Sequence, residues 1–310
     1  MSPLRSLGNT LSSFKDFYSR TGKDASVPPP DTEGIELDML LIAGAGSGGG
    51  STGGGGGAGG ILYAASLRLT SGGYVFNVGA GGASVSAQTV GNNGSNTTFG
   101  DPGTTYLTAI GGGGGASGSP GATNGTLTGK DGGSGGGGSY HPGGGDHDGG
   151  DSTQTNTWSG PSPFIDSATI TAYGNDGGDP GTPGAGEYKG GGGAGGTVSG
   201  ASGGAGQPFP VVSGSNFPST PGVYGVGGDG TDTGQHGDDG ADNTGNGGEG
   251  GWAFANGTGG AGGSGVAFLI VPDTNAPYIT TPAPSSPAGD SSSRTVFKFT
   301  STGPTAVTIS

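Results

Sequence analysis

Apolar residues along the chain fall into short runs, and the strongest runs hand over directly to glycine. Residues 37–43 (LDMLLIA) are almost continuously apolar, the pattern of a buried β-strand, and pass straight into GAGSGGGSTGGGGGAGG at 44–60. The same order recurs at 106–118 (YLTAIGGGGGASG) and appears reversed at 257–271 (GTGGAGGSGVAFLIV). Further strands are predicted at 61–69 and 74–78, joined at Ser71, Gly72 and Gly73 as a hairpin. Residues 97–99 and 106–110 make a second pair. Near the C-terminus, 266–271 is a buried-type strand, and 295–300 and 306–309 flank the turn dipeptide Gly303-Pro304. The first and last strands are expected to share one sheet or sandwich. Between them, about 116–250 is mostly Gly, Asp, Ser, Thr and Pro. Its apolar islands (Trp158, 164–165, 168–173, 209–212, Phe217 and 223–226) read as loop anchors or rim contacts, not core strands.

The first 33 residues differ in kind. Ser2 and Pro3 offer an N-cap and a first-turn proline. Leu4, Leu7, Leu11, Phe14, Phe17 and Tyr18 follow at three- and four-residue spacing, and Gly22 suits a C-cap. An amphipathic helix of about five turns is predicted. The stiff linker at 25–32, with Pro28, Pro29 and Pro30, would hold it away from the body. The apolar stripe reads as a partner-docking surface; packing on its own body is the alternative. The chain thus divides into an attachment segment at 1–33 and a glycine-rich body at 34–310, with a loop-rich insertion around 116–250.

Composition limits what the body can be. The chain holds 83 glycines and 21 prolines in 310 residues, too many for an ordinary apolar core. Tracts such as 53–57 and 111–115 break any G-X-Y register, which excludes collagen. Glycine loses more conformational freedom on ordering than any other residue, so ordered tracts need compensation. A row of polyproline II-like segments supplies it. Such a segment has three residues per turn, bonds nothing within itself, and points its N–H and C=O groups sideways at neighbours. The other reading of this composition is flexible linker. The net charge of −14 argues against nucleic-acid binding. There is no cysteine and no apolar run of membrane-spanning length. Residues 4–11 interleave leucines with polar residues, unlike a secretory signal, so work outside a cell would imply release by lysis within a virus particle.

Several stretches carry chemistry-like patterns. Residues 44–49 match G-x-G-x-x-G after a strand, but a dinucleotide site needs a helix there, and glycine continues to residue 60. Residues 227–232 (GGDGTD) resemble one calcium-binding nonapeptide, in a single copy. His141, Asp146, His147, Asp148 and Asp151 form one cluster of metal-ligand types, and His236, Asp238, Asp239 and Asp242 a second. On glycine loops such residues are usually solvated tips. No catalytic constellation stands out, and no metal or cofactor is expected. Tyr140, His141, Trp158, Tyr224, His236 and Trp252 are the candidate recognition residues, the aromatics either stacking on sugars or anchoring loops.

The ordered series of strand, glycine tract, strand, VGAGG (78–82), NNGSNTTFG (92–100) and IGGGGG (110–115), closing with GGAGGSGVAFLIVP (259–272), resembles the glycine-rich domain of bacteriophage tail-fibre and other virion proteins. The resemblance covers roughly 36–118 and 190–309; the stretch 116–189 departs from the compact pattern. It implies a mainly β body in which β-sandwich-like strands cap a bundle of polyglycine II helices, with exposed loops binding a host-surface receptor. It also implies a tail-fibre or tip adhesin on the virion surface, present in multiple copies and joined to other virion proteins through its N-terminal helix. A capsid decoration or head-fibre protein anchored by the same segment is the second reading.

Overall fold

The computed structural model of the chain describes residues 34–118, 127–141, 145–161, 168–180, 188–213, 216–219, 222–230, 236–252, 256–281, 288–289 and 293–310. The helix expected over residues 2–22 and its proline linker lie outside them. The first strands are β1 (Ile35–Ile42), β2 (Ile61–Leu69), β3 (Gly72–Val78), β4 (Thr97–Asp101) and β5 (Thr104–Ala109). Five short ones follow: β6 (Ser139–His141), β7 (Gly145–His147), β8 (Thr169–Tyr173), β9 (Gln207–Pro208) and β10 (Val223–Tyr224). The last are β11 (Val266–Pro272), β12 (Ile279–Thr280), β13 (Ala288–Gly289), β14 (Arg294–Phe299) and β15 (Gly303–Ile309). Two large antiparallel sheets result, β13-β14-β11-β1-β2-β8 and β12-β15-β3-β4-β5.

The predicted hairpin between 61–69 and 74–78 is not made. Both sides of β2 are taken, by β1 and β8, so the chain turns at residues 70–71 and β3 enters the other sheet between β15 and β4. The end of the chain does the same: β14 lies in the first sheet and β15 in the second. Each crossing brings apolar faces of the two sheets into one cluster, with Leu37, Met39, Leu41, Leu67 and Phe299 meeting Tyr74, Phe76, Phe99, Leu107 and Val307. Phe76 stacks on Phe299 at 4.4 Å between ring centroids. Within 168–173, read from sequence as a loop anchor, Thr169–Tyr173 form the edge strand β8, mostly half-buried and paired to β2.

The continuous apolar pattern of β1 and β11 has its reason in a second cluster. On the other face of the six-stranded sheet, Leu40, Ile42, Phe268, Ile270 and Val296 are covered by Phe209, Val212 and Tyr224. These central strands are therefore buried on both faces. Asp38, the buried one of the two acidic residues within β1, has three partners. It accepts from the Tyr63 hydroxyl at 3.1 Å and the Ser66 amide at 2.9 Å, and it pairs with the Arg294 guanidinium. Burial, with the Asp38 carboxylate beside it, pushes the Tyr63 phenol up to about 12.

Beyond the sheets the glycine tracts carry no helix or strand, yet their backbone bonding is regular. Within 43–51 the amides take three partners in strict rotation. Ala43, Gly46 and Gly49 donate to Gly60, Gly57 and Gly54; Gly44, Ser47 and Gly50 to Ser95, Asn92 and Thr89; Ala45, Gly48 and Ser51 to Gly263, Gly260 and Gly257. Every bond is 2.9–3.1 Å, and every partner steps by three. Segment 53–60 donates to 245–251, to 110–116 and to Lys189 and Gly192, and accepts from 43–49, from Ser134 and Gly137, and from Gly228. Six segments surround it. The tracts at 44–60, 111–115, 190–196 and 257–265 are thus joined side by side. The region around 116–250 supplies several of the segments.

Space, not dihedral freedom, demands glycine along 44–60. No glycine of 44–60 has φ in the left-handed range. A Cβ on Gly46 would instead overlap the Gly113 carbonyl, and one on Gly113 the Lys130 carbonyl.

Candidate functional site

The three-residue register gives every lattice residue a depth. Ala43, Gly60, Ile110 and Gly265 lie where the sheets feed the lattice. Thr97 ties that end, its buried hydroxyl accepting from the Gly79 amide at 3.0 Å and donating to the Ile42 carbonyl at 2.8 Å. Eight residues on from Ala43, at Ser51, the chain is at the other end of this register. There 43–51 reverses into 53–60.

That reversal is strained and pinned. Ser51 and Thr52 are buried with φ near +55°, an uncommon conformation for a serine and an outlier for a β-branched threonine. The Ser51 hydroxyl accepts from the Gln88 amide at 2.9 Å, and Gln88 also has positive φ. The Ser117 hydroxyl donates to the Gly50 carbonyl at 2.8 Å, and the Gly118 amide to the Ser51 carbonyl at 3.0 Å. Two separate segments, at 88 and at 117–118, thus fix one turn, the condition under which such strain persists.

Register sorts the six candidate residues between the two ends. Trp158 and Tyr224 belong to the sheets. Trp158 packs on the core at 5.4 Å from Tyr106 between ring centroids. Around it, the Gln154 carboxamide donates to the Thr108 carbonyl, the Asn156 carboxamide to the Ile170 carbonyl, and the Ser159 amide to the Tyr106 carbonyl. The segment 154–159 thereby bonds to both edge strands, β5 and β8. Tyr224 is fully buried, and its hydroxyl donates to the Val212 carbonyl at 2.8 Å. Burial raises its phenol strongly. Both residues fill the anchoring role that sequence offered as the alternative.

The other four are distal. Tyr140 and His141 lie on β6, which is paired to β7 and follows a lattice segment bonded to Gly55 and Gly178. His236 bridges to Thr258, with Nδ1 at 2.8 Å from the threonine hydroxyl. Trp252 follows Gly251, which accepts from the Gly53 amide beside the strained turn. At 50% exposure, Trp252 is the most open large apolar side chain among the described residues.

Several acidic residues are exposed, as solvated tips would be, and also bond to the backbone. Among the described residues no group of three or more His, Asp or Glu could hold a metal ion. Many carboxylates instead accept backbone amides. Asp239 and Asp242 take those of Ala261 and Ser264, Asp176 and Asp179 those of Ser152 and Gly149, and Asp229 that of Gly203. Asn96 and Asn93 do the same for Gly111 and Gly114. The signal in the sequence was the spacing: each of these pairs stands three residues apart, the repeat of the lattice.

The sequence profile of the glycine-rich domain family matches residues 24–271, from the linker through β11. The chain belongs to the glycine-rich domain family. The match takes in β1–β10, nearly all of β11 and the glycine tracts between them, and ends before β12–β15. No curated protein matches the chain significantly.

Proposed function

We propose that this glycine-rich domain protein is a virion surface protein of a bacteriophage, a tail-fibre or tip adhesin that binds a host-surface glycan or protein receptor. In this reading the lattice is a polyglycine II bundle, and the two sheets close on each other as a sandwich capping one end of it. The three-residue rotation of hydrogen bonds supports the bundle, since that is the repeat of the extended three-fold helix. The shared apolar cluster supports the sandwich. Residues 1–33 attach the body to other virion proteins, several copies per particle, and no catalysis, cofactor or nucleic acid is involved.

The observation that carries the reading is the sorting of candidate residues by depth. Tyr140, His141, His236 and Trp252 come from three separated parts of the sequence and reach the end far from the sheets. A rigid lattice has little chemistry of its own, so recognition falls to what it carries. Trp252 offers an apolar face to a sugar ring, and nearby carboxylates accept from hydroxyls. The test is binding of the labelled full chain to host cells, wild type against Trp252→Ala/His236→Ala. Loss of binding without loss of melting temperature supports the adhesin. Unchanged binding, or imaging that places the protein on the capsid with this end against a neighbouring subunit, turns the reading to a capsid decoration protein.

A further inference from the structure

Every lattice has an outside. A segment at its margin has amides left over in the direction where no further glycine segment lies, one every third residue. That row is the counterpart of an open sheet edge, which recruits other chains unless it is blocked. In this protein the marginal rows meet side-chain oxygens, and the kind of oxygen depends on exposure. Where the bond is half-buried the acceptor is a neutral carboxamide. Asn96 and Asn93 serve Gly111 and Gly114, Asn246 serves Val226 and Gln154 serves Ile110. Where the bond is exposed the acceptor is a carboxylate. Asp176 and Asp179 serve Ser152 and Gly149, and Asp239 and Asp242 serve Ala261 and Ser264. Asp131, Asp229 and Glu249 repeat the exposed form.

Any of these side chains would satisfy an amide, so hydrogen bonding alone does not account for the division. Charge does. A carboxylate in water is well solvated, and moving it against a second backbone strips that solvent. We propose that the exposed aspartates are terminators. They occupy the outermost amides of the lattice and place a negative charge where a glycine segment from a second copy would otherwise dock. The inference rests on the hydrogen bonds of the lattice and not on the adhesin reading. It gives part of the −14 net charge a structural task.

Two variants of the full chain separate the parts of this proposal. Asp176→Asn/Asp179→Asn/Asp239→Asn/Asp242→Asn keeps the acceptors and removes four charges. It should retain the wild-type hydrogen-exchange protection of the Gly149, Ser152, Ala261 and Ser264 amides. It should also form concentration-dependent assemblies larger than wild type in light scattering. The corresponding Ala variant removes acceptors and charges, so it should lose that protection at least tenfold and assemble further. An Asn variant that stays at the wild-type size over the whole concentration range overturns the role of charge, whether or not the Ala variant folds. Unchanged protection in a folded Ala variant overturns the role of the acceptors.

Discussion

The sheets and the lattice meet one requirement, that buried backbone N–H and C=O groups find partners, in opposite ways. In a sheet the partners lie on two sides only. The remaining directions belong to side chains, and Phe76, Phe99, Leu107 and Phe299 pack in one apolar cluster shared by the two sheets. In the lattice the partners come from every direction in turn, as the three-way rotation along 43–51 shows. Nothing is left over for a side chain, which is why a Cβ there runs into a carbonyl oxygen. The comparison teaches how to read glycine content. A glycine tract such as 53–57 marks a segment with neighbours all round. A segment buried only at every third place marks the margin: along 79–85 the buried positions are Gly79, Gly82 and Val85, while Ala80, Ala83 and Ser84 face water.

The largest expected effect breaks the lattice at its centre. Gly113→Val adds three carbons where the Lys130 carbonyl already stands, and no flexible side chain is there to move. The substitution should cost about 4–5 kcal/mol or more, the range reserved for severe core disruption. Soluble expression and circular dichroism against wild type check this. A folded Gly113→Val protein with a melting temperature near wild type would show that the close approach is not structural. Phe76→Ala, in the other region, creates a cavity and should cost about 3–5 kcal/mol while leaving the lattice amides protected from exchange.

The heat capacity of unfolding sharpens the same contrast. Apolar exposure raises that quantity and polar exposure lowers it. The lattice contributes ordered backbone with few apolar side chains. Calorimetry should therefore give a value per residue clearly below the usual ~12–15 cal/mol/K. A value inside that range would mean that the lattice buries as much apolar surface as an ordinary core.

The sheets were the more legible part of the sequence. The buried patterns of β1, β2 and β11 announced strands, because side-chain pattern is how a sheet is written. What pattern could not give was which sheet each strand joins. Ser71, Gly72 and Gly73 suit a hairpin and a crossing equally, and only the occupancy of both sides of β2 by β1 and β8 decides. β8 was missed because TITAY sits alone among polar residues and draws its stability from β2. The lattice was legible in kind but not in order. A glycine carries no label for its partner, so nothing in 53–57 names 110–116 or 245–251. The candidate recognition residues suffered from the same blindness: aromatic character did not distinguish Tyr224, a core filler, from Trp252, half in water.

An alkaline titration probes two tyrosines of the sheets. Burial, aided by Asp38, holds the Tyr63 phenol at about 12, and burial with the bond to Asp101 does the same for Tyr106. In the unfolded chain both ionise near 10. Between about pH 10 and 12 the native state thus keeps protons that the unfolded state has released. Stability is full below pH 10 and falls as pH rises through that window. A Tyr63→Phe/Tyr106→Phe variant should start less stable at neutral pH, since Asp38 and Asp101 each lose a donor, and should show a shallower alkaline decline. Parallel slopes for the two proteins would place the alkaline sensitivity elsewhere.

The smallest effect on stability is expected where the effect on binding is greatest. Trp252→Ala and His236→Ala each alter an exposed side chain at the distal end, and surface changes away from packed features stay within about 0.5 kcal/mol. Trp158→Ala is the control from the opposite end. It removes a ring packed against Tyr106 and should cost about 2–4 kcal/mol, while leaving the distal end intact. Melting temperature and host-cell binding, measured on all three, give a crossed pattern if recognition is distal: Trp158→Ala melts early and still binds below its transition, and Trp252→Ala melts normally and binds poorly. If binding instead follows stability across the three variants, the distal residues carry no special role, and the receptor face must be sought on the sheets.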